Sequence, residues 1–303
     1  MPASPSYLQL DVFCARPGGG NPLGVVIGAH AWSAGDMQRF AAWTDLVETT
    51  FVLAPTTSAA SYRLRIFTPD REIPFAGHPT IGSAHAVLET GFAQAHEGSL
   101  IQECAAGLLP IRVEGDADAR ELFVQSPSAH VLPTDYAGRE LLHAVLGDIA
   151  PGVLPPAFIE GGRRWWLAEF ASEALLRTWQ PDHRAIGALA RATDSLGLCV
   201  FARAADRASA VNPDADYDLV VRAFPAGVGI VEDPASGAAN GLIGAWIAQR
   251  EPHGSFAHGY RVSQGREMGR DASIKVRIDK GAVWVGGRTH TVVSGITFWQ
   301  SRA

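Results

Sequence analysis

Two stretches of sequence that read alike decide the fold. Residues Arg65–Gly77 read RIFTPDREIPFAG, and residues Arg222–Gly237 read RAFPAGVGIVEDPASG. Both contain Arg-x-Phe, a loop, and then Glu-x-Pro-x-Ala/Ser-Gly, and the two loops differ in length by three residues. A helical apolar pattern follows each stretch. The repeat therefore predicts an α+β fold of two pseudo-symmetric lobes whose matching helix N-termini face a shared cleft, because domain interfaces commonly hold ligand sites.

Working outward, short apolar runs and turn signals predict the remaining elements. A wide Gly/Pro-rich turn separates the predicted strands Tyr7–Phe13 and Leu23–Ile27 as a hairpin. Helices are predicted over Ser33–Trp43, Pro79–Leu88, Glu140–Leu146, Asp182–Arg191 and Gly237–Arg250, and further strands over Thr49–Leu53, Tyr62–Phe67, Ala106–Val113, Glu121–Gln125, Trp165–Phe170, Leu198–Ala202, Tyr217–Phe224, Ser273–Ile278, Ala282–Gly286 and Thr289–Val293.

The segment Ser126–Pro133 contains two prolines and two serines, which indicates a linker. It divides the chain into a predicted N-terminal lobe, residues 1–126, and a predicted C-terminal lobe, residues 127–303. The last strand of the second lobe could instead join the sheet of the first lobe.

Composition excludes several classes of function. The net charge of −6 argues against a nucleic-acid partner, which usually meets a basic stripe. The first residues lack the pattern of a signal peptide, and no apolar run is long enough to cross a bilayer. Three widely spaced cysteines favour a reducing compartment. We therefore expect a soluble cytoplasmic protein that binds neither nucleic acid nor membrane.

The two predicted helix N-termini are candidate anion sites. The first backbone N–H groups of a helix have no partner within it, and the helix dipole favours negative charge there. Pro79 suits the first helical position. The alternative is that glycine and proline merely shape two loop-to-helix junctions. The residues placed at the two helix starts are Gly77, His78 and Thr80 in the first half, and Ser236, Gly237 and Ala238 in the second.

Three titratable residues are candidates for catalysis. Glu48 lies in a mostly apolar run, where desolvation would raise the pKa of a carboxyl toward the range useful for proton transfer. Asp233 is either a second acid or a turn residue before the helix. His78 could handle a proton or orient a substrate, although a structural histidine is more common. The alternative for Glu48 is an ordinary exposed residue at the start of a strand.

Competing chemistries lack their sequence patterns. There is no His-Glu-x-x-His metal motif and no Gly-x-Ser-x-Gly nucleophile turn. Gly227-Val228-Gly229 has no third glycine for a dinucleotide fingerprint, and only two lysines, Lys275 and Lys280, could form a Schiff base. No metal and no cofactor are therefore expected.

The order of short motifs along the chain resembles the phenazine biosynthesis PhzF-like family. The motifs that carry the resemblance are Asp11-Val12-Phe13, Gly20-Asn21-Pro22-Leu23, Glu48-Thr49-Thr50-Phe51-Val52, Arg65-Ile66-Phe67-Thr68-Pro69, Phe75-Ala76-Gly77-His78-Pro79-Thr80, Ala106-Gly107-Leu108-Leu109-Pro110, Glu232-Asp233-Pro234-Ala235-Ser236-Gly237, Ser263-Gln264-Gly265 and Val283-Trp284-Val285-Gly286-Gly287.

The resemblance implies a diaminopimelate-epimerase-like fold, in which each lobe wraps a mixed sheet around a central helix, and usually a homodimer. It implies that Glu48 is the catalytic glutamate, supported by the Gly77-His78 pair and by Asp233. The residues expected to bind the substrate are Asn21, Gly77, Thr80, Ser236, Gly237 and Ala238.

Two departures bear on the chemistry. Where the family commonly has Gly-Ser before the second helix, this chain has Gly237-Ala238, which removes a hydroxyl and puts substrate preference in doubt. Related epimerases and racemases place two cysteines at the helix starts, whereas Cys14, Cys104 and Cys199 lie elsewhere. A carboxylate base is therefore favoured over a pair of thiols.

The resulting hypothesis is a cofactor-independent isomerase that moves a proton on a small carboxylated substrate. Glu48 removes and returns the proton, while His78 and Asp233 orient the substrate or assist protonation. Two alternatives stay open: a non-catalytic protein that binds small carboxylates on the same scaffold, and a lyase or hydrolase that uses Asp233 and His78.

Overall fold

The computed structural model describes residues 4–116, 119–204 and 216–299. The chain forms two compact units. Unit 1 comprises the residues up to Gln125 together with those from Gly286 onward, and unit 2 comprises Ser126–Val285. The outer ends of the two predicted lobes, residues 1 and 303, lie outside the described ranges. Within those ranges no helix is both long and apolar enough to cross a lipid bilayer.

Unit 1 contains nine strands and two helices in its described residues. They are β1 (Ser6–Val12), β2 (Asn21–Ile27), α1 (Ala34–Thr44), β3 (Thr49–Leu53), β4 (Tyr62–Phe67), β5 (Glu72–Ile73), α2 (Gly77–Glu89), β6 (Ser99–Cys104), β7 (Gly107–Glu114), β8 (Glu121–Gln125) and β17 (Thr289–Ile296).

The main sheet of unit 1 runs in the order β17-β1-β2-β3-β4-β6-β7-β8. All neighbours are antiparallel except β2–β3 and β4–β6. Parallel neighbours need a crossover connection, and α1 and α2 provide the two crossovers. Strands from across this sheet pack against α2, whose residues His78–Thr80 and most of the following two turns are buried. The mixed sheet therefore wraps around a central helix.

Unit 2 contains eight strands and four α-helices in its described residues. They are β9 (His130–Val131), α3 (Tyr136–Leu146), β10 (Ala157–Gly161), β11 (Arg163–Glu169), α4 (Glu173–Thr178), α5 (His183–Ala192), β12 (Gly197–Arg203), β13 (Leu219–Phe224), α6 (Gly237–Arg250), β14 (Gly259–Gln264), β15 (Ala272–Asp279) and β16 (Ala282–Gly287), the last of which ends just beyond the unit boundary.

The sheet of unit 2 repeats the pairing pattern of unit 1. Its order is β9-β10-β11-β12-β13-β14-β15, antiparallel throughout except for β11–β12 and β13–β14. Helices again make both parallel crossovers, and the second of them, α6, is buried along most of its length. Five consecutive pairings, from β1–β2 to β6–β7 and from β10–β11 to β14–β15, thus have the same alternation of directions. The predicted α+β fold of two pseudo-symmetric lobes is confirmed.

An ion pair explains why the two repeated stretches read alike. In unit 1 the Nε and Nη2 atoms of Arg65 donate to the two carboxylate oxygens of Glu72 at 2.7 and 2.6 Å. In unit 2 Arg222 donates to Glu232 in the same way at 2.8 and 2.9 Å. Each guanidinium also lies 5.2 Å from the ring centre of the phenylalanine two residues later. The Arg-x-Phe…Glu motif therefore closes the loop that leads into each central helix.

Several predicted boundaries were wrong. Helix α2 begins at Gly77 and not at Pro79, which occupies the third helical position. Proline is tolerated there because the N–H groups of the first turn have no helical acceptor. Helix α3 begins at Tyr136, four residues earlier than predicted, because Asp135 caps it. The prediction missed β5, β6, β9, β10, β14 and α4.

Candidate active site

Glu48 lies in the short turn between α1 and β3. Helix α1 ends at Thr44, and its C-cap residue, Asp45, adopts a left-handed backbone conformation. The hydroxyl groups of Thr44 and Thr49 lie 2.8 Å apart across the turn and hold its two ends together. The side chain of Glu48 is 12% exposed. The turn therefore presents a largely desolvated carboxylate next to a buried strand.

His78 lies beside this carboxylate. It is the second residue of α2, and its Nε2 atom is 3.5 Å from Oε2 of Glu48. Desolvation lowers the pKa of His78 to about 3, because burial disfavours the charged imidazolium. The ring is therefore neutral near pH 7, and its Nε2 atom lies next to the Glu48 carboxylate.

Asn21 lies against the other ring nitrogen of His78. Its amide nitrogen Nδ2 lies 3.5 Å from Nδ1 of His78, and both side chains are buried. An amide N–H₂ group donates, and a His78 ring whose Nδ1 accepts from it carries its proton on Nε2. Nε2 is the ring nitrogen that lies 3.5 Å from Oε2 of Glu48.

Asp11 holds the loop that positions Asn21. Its Oδ2 atom accepts hydrogen bonds from the backbone N–H groups of Gly18 and Gly20, at 2.6 and 3.1 Å. A Cβ atom on Gly20 would lie 2.1 Å from the carbonyl oxygen of Val12, so only glycine fits at this close approach. Asp11 belongs to the Asp11-Val12-Phe13 motif, from which no role was predicted for it. A Gly-rich loop that follows a buried aspartate was the available signal.

The N-terminus of α2 has no side-chain cap. Its N-cap residue is Ala76, whereas Ser or Asp side chains cap the other five described α-helices. The N–H group of Thr80 already bonds to the carbonyl of Ala76. Pro79 has no N–H, which leaves the backbone N–H groups of Gly77 and His78 without helical acceptors. The buried hydroxyl of Thr80 accepts a hydrogen bond from the side-chain amide of Gln102 at 3.2 Å, so this hydroxyl points into the interior of unit 1.

The corresponding helix start in unit 2 is capped. The hydroxyl of Ser236 accepts from the N–H of Ala239 at 3.4 Å, which makes Ser236 the N-cap of α6. Gly237 follows as a buried residue, and Ala238 is exposed. Just before the cap, Oδ1 of Asp233 accepts from the N–H of Ala235 at 3.1 Å, and desolvation raises the pKa of Asp233 above its ordinary value.

Gln264 holds this loop in place, a function that the sequence analysis missed. Its Nε2 atom donates to the carbonyl of Asp233 at 2.7 Å. Its Oε1 atom accepts from the N–H of Ser236 at 3.3 Å and from Asn240 at 3.0 Å. Gln264 is completely buried. The only sequence signal was a polar residue in the Ser263-Gln264-Gly265 motif, at a position where an apolar strand residue would be expected.

The repeat places different chemistry in the two units. Thr49 pairs with Phe67 and Leu198 pairs with Phe224, so the structural counterpart of Glu48 is Gly197. A Cβ atom on Gly197 would lie 2.0 Å from the carbonyl oxygen of Phe224, which leaves no room for a side chain there. A carboxylate at this position is therefore present in unit 1 and sterically excluded from unit 2.

The predicted site residues form two groups. The structure brings Glu48, His78, Asn21 and Gly77 together in unit 1, and Thr80 lies in the same helix with its side chain turned to Gln102. Unit 2 holds Asp233, Ser236, Gly237 and Ala238 at one helix start. Among the described residues, no group of three or more His, Cys, Asp or Glu side chains is arranged to hold a metal ion.

Comparisons with known proteins extend over almost the whole chain. Residues 10–295 match the profile of the family described as phenazine biosynthesis-like protein, PhzC-PhzF. Antisense-enhancing sequence 1 of Schizosaccharomyces pombe is 34% identical over 304 residues, covering 97% of this chain and 98% of that protein. The trans-2,3-dihydro-3-hydroxyanthranilate isomerase of Pseudomonas chlororaphis is 31% identical over 297 residues, covering 96% of each.

A solved structure shows the same fold. The crystal structure of a PhzF-family phenazine biosynthesis protein from Bacillus anthracis superposes with a TM-score of 0.81, covering 98% of this chain and 99% of that one. At 23% sequence identity, this similarity concerns the fold alone. The expected diaminopimelate-epimerase-like architecture is thereby confirmed.

Proposed function

Because the chain belongs to the phenazine biosynthesis-like PhzF family and is one of its isomerases, we propose that it moves a proton on a small carboxylated substrate by carboxylate acid/base catalysis, without a cofactor. The observation that carries this proposal is the Glu48 carboxylate held 3.5 Å from a neutral His78 at the start of an uncapped helix.

Glu48 is the proposed base. A carboxylate that is largely removed from water accepts a proton more readily than an exposed one, and positioned acid–base catalysis contributes roughly 10²–10⁴-fold to a rate. After taking the proton from carbon, the Glu48 carboxyl group returns it to another atom of the substrate. The steric exclusion of a side chain at Gly197 supports a mechanism with one such base.

His78 is proposed to orient Glu48 and to stabilise its charged form. Its pKa of about 3 makes it a poor store of a positive charge near neutral pH. In the tautomer whose Nδ1 accepts from Asn21, the Nε2–H group is the one beside the carboxylate. Asn21 and the Asp11-bound loop therefore act as positioning residues for His78, since they fix its ring orientation and tautomer.

The start of α2 is proposed to bind the substrate carboxylate. The free N–H groups of Gly77 and His78 and the helix dipole favour an anion there without a lysine or arginine. The named substrate of the Pseudomonas chlororaphis isomerase is itself a carboxylate, an anthranilate derivative. We propose the same class of substrate for this chain.

Asp233 and the start of α6 are proposed to take part in the same reaction. The raised pKa of Asp233 lets it keep a proton at a higher pH than an ordinary aspartate, which suits a hydrogen-bond donor to a polar group of the substrate. The proposed contacts of unit 2 are the side chain of Asp233 and the backbone N–H groups of Gly237 and Ala238, with Ser236 and Gln264 holding them in place.

The decisive experiment is Glu48→Gln, assayed by proton NMR in heavy water. The wild-type protein is expected to exchange or shift a carbon-bound hydrogen of trans-2,3-dihydro-3-hydroxyanthranilate or of another member of a panel of small cyclic carboxylates. The Glu48→Gln protein is expected to lose at least about 10²-fold in rate, whereas the exposed control Glu140→Gln keeps the wild-type rate.

Three outcomes would contradict the proposal. Undiminished turnover in Glu48→Gln would exclude Glu48 as the base. A product that differs from the substrate in mass would point to a lyase or hydrolase. Thermal stabilisation of the wild-type protein by these carboxylates, with no solvent deuterium entering any of them, would point to a binding protein.

A further inference from the structure

A cavity of about 300 Å³ opens in unit 1 along β4, β5 and the end of β6. Gln102 of β6 bonds to Thr80 of α2, and Tyr62 of β4 bonds to Gln102, so these strand side chains lie on the α2 face of the sheet. Successive side chains of a strand point to opposite faces, which places Arg63 and Glu103 on the other face. Both of these residues line the cavity, which is thus separated by the sheet from α2 and from the candidate active site.

Two of the charged groups that line this cavity are already held by hydrogen bonds. Arg65 donates to both carboxylate oxygens of Glu72. Glu103 accepts from the hydroxyl of Thr56 and, at 2.7 Å, from the backbone N–H group of the same residue. These two hydrogen bonds lower the pKa of Glu103, because they favour its charged form. The Glu103 carboxylate is therefore ionised near neutral pH.

Arg63 contributes a guanidinium group without a bonded partner. It is directly opposite Glu103 in the parallel pairing of β4 with β6, a position from which opposite charges usually join. Its charge acts on Glu103, yet among the residues that the structure describes Arg63 forms no hydrogen bond and no ion pair within 4 Å. The guanidinium carries five N–H donors in a rigid fork that matches a carboxylate. A half-buried carboxylate receptor therefore lies next to a carboxylate that it does not contact.

We propose that this cavity binds a small zwitterion of the α-amino-acid class, with the ligand carboxylate on Arg63 and the ligand ammonium group on Glu103. The two oxygens of a carboxylate can accept about four hydrogen bonds, and Thr56 supplies two of those to Glu103, so acceptor capacity is left for an ammonium group. The two charged groups of an α-amino acid are attached to the same carbon atom. They therefore fit a pair of neighbouring opposite charges that do not contact each other.

The charge and size of the cavity favour such a ligand. The lining contains two arginines and two glutamates, so its formal charges cancel. A simple anion would meet the two carboxylates as well as Arg63, and a simple cation would meet the two guanidinium groups. Ile73 and Ala105 provide apolar lining for a ligand side chain. The volume lies at the lower end of the range of roughly 300–1,000 Å³ that is typical of small-molecule pockets. The site does not depend on the reaction proposed for Glu48.

Isothermal titration calorimetry of the full chain tests the proposal. The standard α-amino acids are titrated one at a time, and at least one is expected to bind. The tightest of them is then compared with two singly charged analogues, the same molecule without its amino group and the same molecule without its carboxylate. Each analogue is expected to bind at least about tenfold more weakly, because one charge-assisted hydrogen bond is lost.

Variants of the two charged residues assign the contacts. Arg63→Gln is expected to raise the Kd for the amino acid at least about tenfold. Glu103→Gln is expected to abolish the preference for the amino acid over its analogue without the amino group. Arg163→Gln, which changes an exposed arginine of β11, is the matched control and should bind like the wild type. Arg63→Gln should keep the wild-type melting temperature, because the Arg63 side chain bonds to no described residue.

The thiol of Cys104 reports where the ligand binds. Cys104 lines the cavity and is half-buried, whereas Cys14 and Cys199 are buried. Iodoacetamide is therefore expected to alkylate Cys104 first. The amino acid should slow this alkylation in the wild type and in Glu48→Gln, which changes the candidate active site alone, but not in Arg63→Gln.

Four results would overturn the proposal. The first two are that no standard α-amino acid binds, and that the analogue without the amino group binds as tightly as the amino acid itself. The third is an unchanged Kd in Arg63→Gln. The fourth is a loss of binding in Glu48→Gln, which would place the ligand in the candidate active site.

Discussion

At the scale of single residues, the protonation state of His78 distinguishes the candidate site from its surroundings. A histidine in water has a pKa near 6.5, and burial lowers the pKa of His78 to about 3. The folded state therefore favours the neutral ring over the imidazolium. Between the two values the unfolded chain binds a proton that the folded chain does not, so the free energy of unfolding falls as the pH falls from about 6.5 toward 3.

Replacing His78 should make the free energy of unfolding depend less on pH in this acid range. His78→Gln removes the titrating group, so its stability should fall less steeply between pH 6.5 and 3, by up to about 1.4 kcal/mol for each pH unit. Urea denaturation at a series of pH values measures the slope, with the exposed His30→Gln as control. If the free energy of unfolding changes with pH equally steeply in the wild type and in His78→Gln, then His78 titrates as an ordinary histidine.

Ala238 sets a second expectation at this scale. It is the exposed second residue of α6, where a serine hydroxyl would add a hydrogen-bond donor for an anion. Ala238→Ser is expected to lower the KM for a carboxylated substrate by roughly 2- to 10-fold, corresponding to a net hydrogen bond of about 0.5–1.5 kcal/mol, with kcat and melting temperature little changed.

Ala137→Ser provides the matched control, because Ala137 is the exposed second residue of α3. It should leave the steady-state parameters unchanged. A KM that is the same in the wild type and Ala238→Ser would indicate that the substrate carboxylate does not reach the start of α6.

At the scale of elements, the two Arg–Glu pairs close equivalent loops in different surroundings. The side chains of Arg222 and Glu232 are 5% and 9% exposed, and Arg222 also donates to the carbonyl of Trp179. The corresponding values for Arg65 and Glu72 are 19% and 38%. Removing one partner of a buried pair leaves an uncompensated charge, whereas an exposed pair contributes little.

Arg222→Met should therefore destabilise the protein much more than Arg65→Met. The expected losses are about 3–5 kcal/mol for Arg222→Met and about 1 kcal/mol or less for Arg65→Met. Chemical denaturation of both variants under the same conditions measures the difference. Losses of similar size would show that burial does not decide the contribution of these pairs.

The elements also show why the sequence predicted one part of the site and not another. Glu48, His78 and Asp233 lie in contiguous motifs at the ends of regular elements, where a loop-to-helix junction is visible in the sequence. Asp11 and Gln264 act through side-chain bonds to the backbone of residues that are 7 to 31 positions away. Such long-range contacts leave no periodic pattern of apolar residues in the sequence.

The missed elements have a similar explanation. Strands β6 and β14 each place a buried glutamine, Gln102 or Gln264, where an alternating pattern predicts an apolar residue. Each glutamine bonds to the fourth residue of a central helix, Thr80 or Asn240, and tertiary contacts of this kind override the local pattern. The repeated Arg-x-Phe motif was visible because its ion pair is local.

At the scale of the whole molecule, the chain leaves unit 1 at Gln125 and returns to it at Gly286. Unit 2 is continuous in sequence and unit 1 is not. Strand β17 supplies one of the two strand partners of β1, and Thr289 is buried, so unit 1 without its C-terminal segment lacks part of its sheet.

The fragment Ser126–Val285 is therefore expected to fold alone and to unfold cooperatively in urea, whereas a fragment that ends at Gln125 is expected to be unfolded. Circular dichroism and one-dimensional NMR of the two fragments provide the measurement. Linking residues 286–303 to the first fragment should restore its folding. A stable fragment 1–125 would contradict this division of the chain.

The glycine at position 197 has a stereochemical consequence. Two opposed bases reach both faces of a planar intermediate and so invert configuration, as a racemase must. With room for a carboxylate in only one repeat, the proposed mechanism has hydrogen leave and re-enter on the side of the substrate that faces Glu48. The configuration of the product is then determined by the face of the substrate that binds next to Glu48.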